Sequence, residues 1–180
     1  ALEGKKANEI SSLVPGVMAQ TGMETLEIIK GVVEESRPDV VLVIDALAAR
    51  NTRRLSRTIQ ISDTGIHPGS GVGNHRNGIT RETLGVPVIS IGVPTVVDAA
   101  TIVNDTMEEM VETLDASEKI RRLGGALGTF NRVEKQQMIH ELLSPHLNTM
   151  YMTPKDIDET VKRVSFTISE GINIALGQLE

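Results

Sequence analysis

Five consecutive apolar residues, Val40 to Ile44, four of them β-branched, run into a carboxylate at Asp45. A continuous apolar run of this length predicts a strand buried on both faces in the middle of a parallel sheet, spanning residues 39–45. Asp45 then stands at the carboxyl end of that strand, where ligands gather in open α/β sheets. Upstream, residues 10–14 predict a short strand closed by Pro15-Gly16, and Thr21 with Glu24 has capping-box spacing. Leu26, Ile29, Val32 and Val33 follow at helical spacing, and Pro38 stops the helix at Arg37. Strand, helix and strand in that order predict a right-handed parallel crossover.

Beyond Arg50 the pattern changes. Thr58 to Ile61 alternates as a half-exposed strand does. Residues 63–78 are punctuation: Gly65, Pro68, Gly69, Gly71, Gly73 and Gly78, with His67 and His75 among them. Long glycine-rich loops in compact domains are functional or disordered. Thr80 to Leu84 predicts one helical turn stopped by Gly85. Val86 to Ile91 predicts a strand with Pro87 at its start. Thr95 and Asp98 open a helix that runs to about Asp115, with Ala100, Val103, Met107, Met110, Val111 and Leu114 inward. Residues 116–131 read as a connector. Asn131 and Glu134 start another helix, which ends at Ser144-Pro145. Thr153-Pro154 is an N-cap and first-turn pair for a last helix through Ile157, Val161, Val164, Ile168, Ile172 and Leu176. The fold expected is α/β, with an α-rich C-terminal part. It is a single domain over 1–180, with a core at 10–115, the connector at 116–131 and C-terminal helices at 132–177.

Composition narrows the chemistry. The 180 residues contain no cysteine and no tryptophan, one tyrosine and two phenylalanines. Disulfides, thiolate metal sites and cysteine nucleophiles are therefore excluded, and the core must be aliphatic. Few aromatics and a net charge of −6 argue against nucleic-acid binding. No apolar run approaches a membrane span and no signal peptide opens the chain, so a soluble intracellular protein without membrane contact is expected. The first residue is not Met, which points to a piece of a longer protein.

Asp45 is the leading candidate for chemistry, weighed against a purely structural carboxylate that caps a turn. A lone carboxylate needs a second acid, a metal or a nucleophile before it hydrolyses anything, and spacing does not name that partner. The Gly69-Ser70-Gly71-Val72-Gly73-Asn74 run has neither the spacing nor the context of a dinucleotide or P-loop motif, and reads as a flexible loop admitting an extended chain to Asp45. His67, His75 and Asp63 match no metal spacing, so no metal and no cofactor is expected. His140 and Glu141 lack the second histidine of a zinc protease, and Ser70 and Ser90 lack a nucleophile elbow. Helix-dipole attraction accounts for Asp98 at the start of its helix, where Asp105 also lies. Arg50, Arg53, Arg54 and Arg57 form the only basic cluster, read as a solvated or subunit-facing surface. Arg50 is also placed to pair with Asp45 or with a substrate carboxylate.

Several stretches resemble the germination protease (spore protease) family. They are Val14-Pro15-Gly16-Val17-Met18, Thr21-Gly22-Met23-Glu24-Thr25, Ile44 to Arg50, Thr58 to Ile66, His67 to Asn74 and Ile91 to Ala99. Residues 13–106 carry the resemblance; residues 124–176 carry it more loosely, and the connector between them is shorter than usual. The resemblance implies an endopeptidase that degrades small acid-soluble spore proteins early in germination, made as a self-processing zymogen. It also implies assembly as a homotetramer in the cytoplasm of the spore core. The implied fold is an α/β sandwich with a mainly parallel sheet, phosphorylase/hydrolase-like and similar to the hydrogenase maturation peptidases. Two aspartates form the implied active site, and one matches Asp45. The other belongs to a Thr-Pro-Asp-Ala-Leu-Gly-Pro motif that this chain lacks, along with the family's N-terminal half. The chain is thus expected to be a C-terminal half, inactive alone, in which Arg50, Asp63, His67, Gly69 and Gly71 face substrate. The alternatives are a metal-sensing processing peptidase and a non-catalytic binding or assembly domain.

Overall fold

The computed structural model describes residues 9–16, 18–73, 76–115, 134, 137, 138, 141 and 149–177, with no side-chain description for 111–115. In chain order the described elements are helices α1 (Met18–Thr21) and α2 (Thr25–Ser36), then strand β1 (Val41–Ala49) and β2 (Gln60–Ser62). They continue with α3 (Arg81–Leu84), β3 (Val88–Asp98), α4 (Ala99–Asp115), β4 (Tyr151–Met152) and α5 (Ile157–Ala175). The expected connector at 116–131 and most of the helix after it lie outside the described residues. The chain divides into two compact units, Pro38–Lys155 and the pair Ala1–Arg37 with Asp156–Glu180.

In the first of these units the sheet is mixed. β1 and β3 run parallel, while β2 and β4 pair antiparallel with β3 on its other side. The central strand is therefore β3, not the apolar run at 40–44. β3 is buried along most of its length, and Val88, Pro94 and Val97 are among the most deeply buried side chains. β1 lies at the sheet edge among the described residues, and its burial alternates; Ile44 is 53% exposed. Both faces of β1 are apolar in sequence, but only one is covered.

β3 also outruns the expected end at Ile91, because Gly92 and Pro94 lie inside it. Pro94 has no N–H to give the ladder, and strands tolerate proline at irregularities. The register accommodates it: Leu47 faces Pro94 while Ala48 faces Val96, so Thr95 is left over as a bulge. Gly92 is needed for a second reason. A Cβ there would come within 2.8 Å of Leu47 Cγ, so a side chain at this position would have to displace Leu47.

Two caps differ from expectation. Asp98, not Thr95, closes the start of α4: its Oδ1 accepts from Thr101 N at 2.7 Å and its Oδ2 from Thr101 Oγ1 at 2.7 Å. Thr153 does not cap α5, which begins at Ile157; its hydroxyl donates to the Thr95 carbonyl at 2.8 Å. The turn at α3 is as expected, with Thr80 and Thr83 in a capping box and Gly85 in a left-handed conformation.

In the second unit residues 10–14 form no strand, so the expected strand–helix–strand crossover does not exist. Nor do Thr21 and Glu24 form a capping box. Thr21 ends α1, its hydroxyl accepting from Met23 N at 3.2 Å, and Glu24 precedes α2 without a side-chain cap bond. α2 closes at Arg37 (φ 45°), directly before Pro38, as the sequence predicts. Leu26 and Val33 are its buried positions. On α5 the half-buried stripe runs Ile157, Val164, Ile168, Ile172 and Leu176 at the expected spacing, and Val161 is exposed.

Candidate active site

Asp45 does not end its strand. It is a mid-strand residue facing Gly92 of β3, and β1 continues through Ala49 because Ala46 to Ala49 keep pairing along the longer β3. Along β1, Val41, Val43, Asp45 and Leu47 are half-buried and Leu42, Ile44 and Ala46 exposed, so Asp45 belongs to the covered side. Its Oδ1 accepts from Ala46 N at 2.9 Å. Burial pushes its carboxyl above the ordinary range, and the Ala46 N–H and the positive charge of Arg76 pull partly back. The result is an acid that keeps its proton more readily than a surface aspartate does.

The glycine loop is pinned at both ends. Ile66 and Ile79 exchange backbone hydrogen bonds of 3.0 and 2.7 Å, and both side chains are buried. Gly65 sits at φ +81°, where a Cβ would lie 2.8 Å from Thr80 Cα, so only glycine allows the two ends to meet. Between these ends the chain crosses β1. A Cβ on Gly71 would lie 2.8 Å from Ala48 Cβ. The loop thus passes over the end of the strand that carries Asp45, and Arg76 belongs to it.

The residues expected to face substrate distribute unevenly. Gly71 is against β1, and Gly69 (φ 75°) opens the short turn Ser70–Val72 that carries it there. His67 is exposed, its ring packed beside Gly78, and its partner in the expected pair, His75, lies outside the described residues, as does Asn74. Asp63 follows β2, which flanks β3 on the side away from β1, so two strand spacings across the sheet and about three residues along it, together roughly 14 Å, separate it from Asp45. Arg50 is exposed just after β1 and makes no ion pair with Asp45 among the described residues. Ser90 is buried, and its hydroxyl donates to the carbonyls of Gly65 and Ser62, holding the loop to the sheet. No three His, Asp or Glu side chains gather to hold a metal ion among the described residues.

Sequence reasoning missed two residues. Arg76 supplies the charge at Asp45 that had been expected of Arg50. Asp105, 7% exposed, accepts from Thr52 N at 2.6 Å and Thr52 Oγ1 at 2.8 Å through Oδ2, and from Asn51 Nδ2 at 3.3 Å through Oδ1. Among the described side chains of α4 the two most buried are therefore polar, Asn104 and Asp105, while Met110 is 55% exposed. Spacing alone gave no sign of Arg76; the polar pair Asn104-Asp105 interrupting an apolar stripe was the available sign of Asp105.

The family model described as germination protease matches residues 3–122 and 110–179. The chain belongs to the germination protease family. The germination protease of Caldanaerobacter subterraneus subsp. tengcongensis is 52% identical over 174 residues, covering 96% of this chain and 54% of that protein. That of Clostridium perfringens (strain SM101 / Type A) is 51% identical over 171 residues, covering 93% and 52%. That of Bacillus subtilis (strain 168) is 44% identical over 198 residues, covering 93% and 54%. The chain thus spans about half the length of the curated relatives it matches. The Bacillus alignment is longer than this chain itself, so that family member has residues within the matched span that this chain lacks. No described helix is long and apolar enough to cross a membrane.

Proposed function

We propose that this chain is the C-terminal half of a germination protease, an endopeptidase that starts the degradation of small acid-soluble spore proteins in the germinating spore. The observation that carries the reading is Asp45: a half-buried carboxyl with raised proton affinity, on a strand whose end a glycine-rich loop crosses at Ala48, in a chain about half identical to germination proteases. In the intact enzyme Asp45 shares a proton with a second aspartate from the N-terminal half. The ionised member activates water, and the protonated member polarises the scissile carbonyl. Two carboxylates held together cannot both ionise readily, which adds to the effect of burial on Asp45. Arg50, His67, Gly69 and Gly71 line the path of the extended substrate, with Asp63 at a more distant part of it.

The same reading makes the isolated piece inactive and places the N-terminal half against this one in an α/β sandwich like that of the hydrogenase maturation peptidases. The exposed face formed by Leu42, Ile44, Ile61 and Ile89 supports a further layer of chain there. The whole enzyme is a zymogen and a homotetramer of the spore-core cytoplasm, its protomer a single domain. The test is Asp45→Asn in the intact protease, assayed on a small acid-soluble spore protein. Cleavage is lost while the unfolding transition is kept; retained cleavage removes Asp45 from the mechanism.

A further inference from the structure

The turn that follows β1 combines a fixed backbone with unspent charge. Arg50, Arg53, Arg54 and Arg57 are all exposed, and no acidic residue lies in sequence between Asp45 and Asp63. Among the described residues Arg53 alone of the four is ion-paired, with Glu109 at 3.2 Å, and both partners are well exposed, so that pair holds little. The backbone beneath them is tied down repeatedly. Asp105 takes the three hydrogen bonds from Asn51 and Thr52, Asn51 Oδ1 accepts from Arg53 N at 2.9 Å, and Ser56 N donates to the Pro94 carbonyl at 2.7 Å. Four like charges within eight residues repel one another in an otherwise acidic chain of net charge −6. A turn that served only as a connection needs neither the cluster nor the buried latch.

We propose that the Arg50–Arg57 turn is a recognition surface for an acidic stretch of polypeptide, and that Asp105 is the positioning residue that keeps it in shape. Guanidinium groups bind carboxylates bidentately, and a platform already ordered loses less entropy on binding. Net negative charge on the rest of the chain opposes a phosphate array extending beyond the turn, which favours a short acidic segment over a nucleic acid. The proposal rests on the protease reading only for calling that segment part of a substrate. Asp45 and Arg50 are five residues apart along an extended strand, about 16 Å. An acidic group held at Arg50 therefore lies about five residues from the bond at Asp45.

The test separates binding from catalysis. A fluorescent peptide containing a run of glutamates is titrated with the 180-residue chain and followed by anisotropy at low and high salt. Binding is expected, weakening as salt rises, and Arg50→Gln/Arg54→Gln/Arg57→Gln reduces it by about tenfold or more and flattens the salt dependence. Lys155→Gln/Lys162→Gln/Arg163→Gln, an equal charge change on and just before α5, leaves it unchanged. Asp105→Asn weakens binding but keeps the salt dependence, because the charges remain while their platform loosens. Absence of binding by the unaltered chain, equal binding by the triple variant, or displacement of the peptide by a lower concentration of duplex DNA each overturns the proposal. In the intact enzyme the triple variant raises KM for an acidic protein substrate at unchanged kcat. Peptide binding without any cleavage by that enzyme retains this surface and overturns the protease reading instead.

Discussion

Replacing Asp105 by alanine isolates the latch between α4 and the turn after β1. Three donors lose their acceptor: Thr52 N, Thr52 Oγ1 and Asn51 Nδ2. The first two bonds, at 2.6 and 2.8 Å, are short and charge-assisted; the third, at 3.3 Å, is long and counts for little. Hydrogen bonds to a charged group contribute about 1.5–3 kcal/mol each. Against that stands the cost of keeping a carboxylate at 7% exposure, which the variant escapes, and the entry of water to the freed donors. The net loss is then about 2–4 kcal/mol, which lowers Tm by about 2–4 °C per kcal/mol for a chain of this size. Urea unfolding followed by circular dichroism reads it, and a cycle with Thr52→Val separates the pair from the rest. Coupling of about 1 kcal/mol between the two positions is expected. A loss below about 1 kcal/mol with additive single effects would show that solvent replaces the latch without penalty, and the reasoning would fail.

Asp45 gives a pH signature. Its folded carboxyl titrates above the unfolded value, so the folded chain binds more protons in between, and stability falls as pH rises from about 4 through the folded pKa. Asp45→Asn removes that fall, and Arg76→Gln, by removing the charge that favours the carboxylate, extends it to higher pH; urea midpoints across the acidic range check both. Asp98→Ala deletes the cap on α4 and costs about 1 kcal/mol, read as a shifted urea midpoint with unchanged slope. Gly65→Ala combines a left-handed φ with a backbone overlap at Ile79 and Thr80, so the loss exceeds the about 1–2 kcal/mol of the conformation alone, and faster amide exchange at Ile66 and Ile79 reports the opened loop.

What the sequence made legible was local. α2, α4, α5 and the turn at α3 stand where apolar spacing, Pro38 and Gly85 placed them, because period and stop signals act within a few residues. Strand rank was not legible. Val40 to Ile44 is the more apolar run, yet β3 is the strand covered by partners on both sides, and it contains the Gly92 and Pro94 that read as punctuation. Both residues make sense only against β1: Gly92 gives Leu47 its space, and Pro94 precedes the bulge at Thr95. Pairing across more than forty residues of chain decides such matters.

The same separation governs the candidate site. Asp45 stood out as a candidate because a carboxylate closing an apolar run is visible in one window of sequence, although the strand proves to run past it. Arg50 was the obvious countercharge by proximity in sequence. The fold instead sends Arg50 outward on a latched turn and leaves Arg76, from the pinned loop, to act on Asp45. Asp105 reads as one more acid near a helix start until its partners, more than fifty residues earlier, are known. Its burial then ties the turn after β1 to α4 while Asp98 ties α4 to the end of β3, so the turn and the two long strands share one support. Burial is the main cause of the raised proton affinity at Asp45, so the role proposed for it depends on the strand pairing that keeps it half-buried, whereas the latched turn acts some residues away.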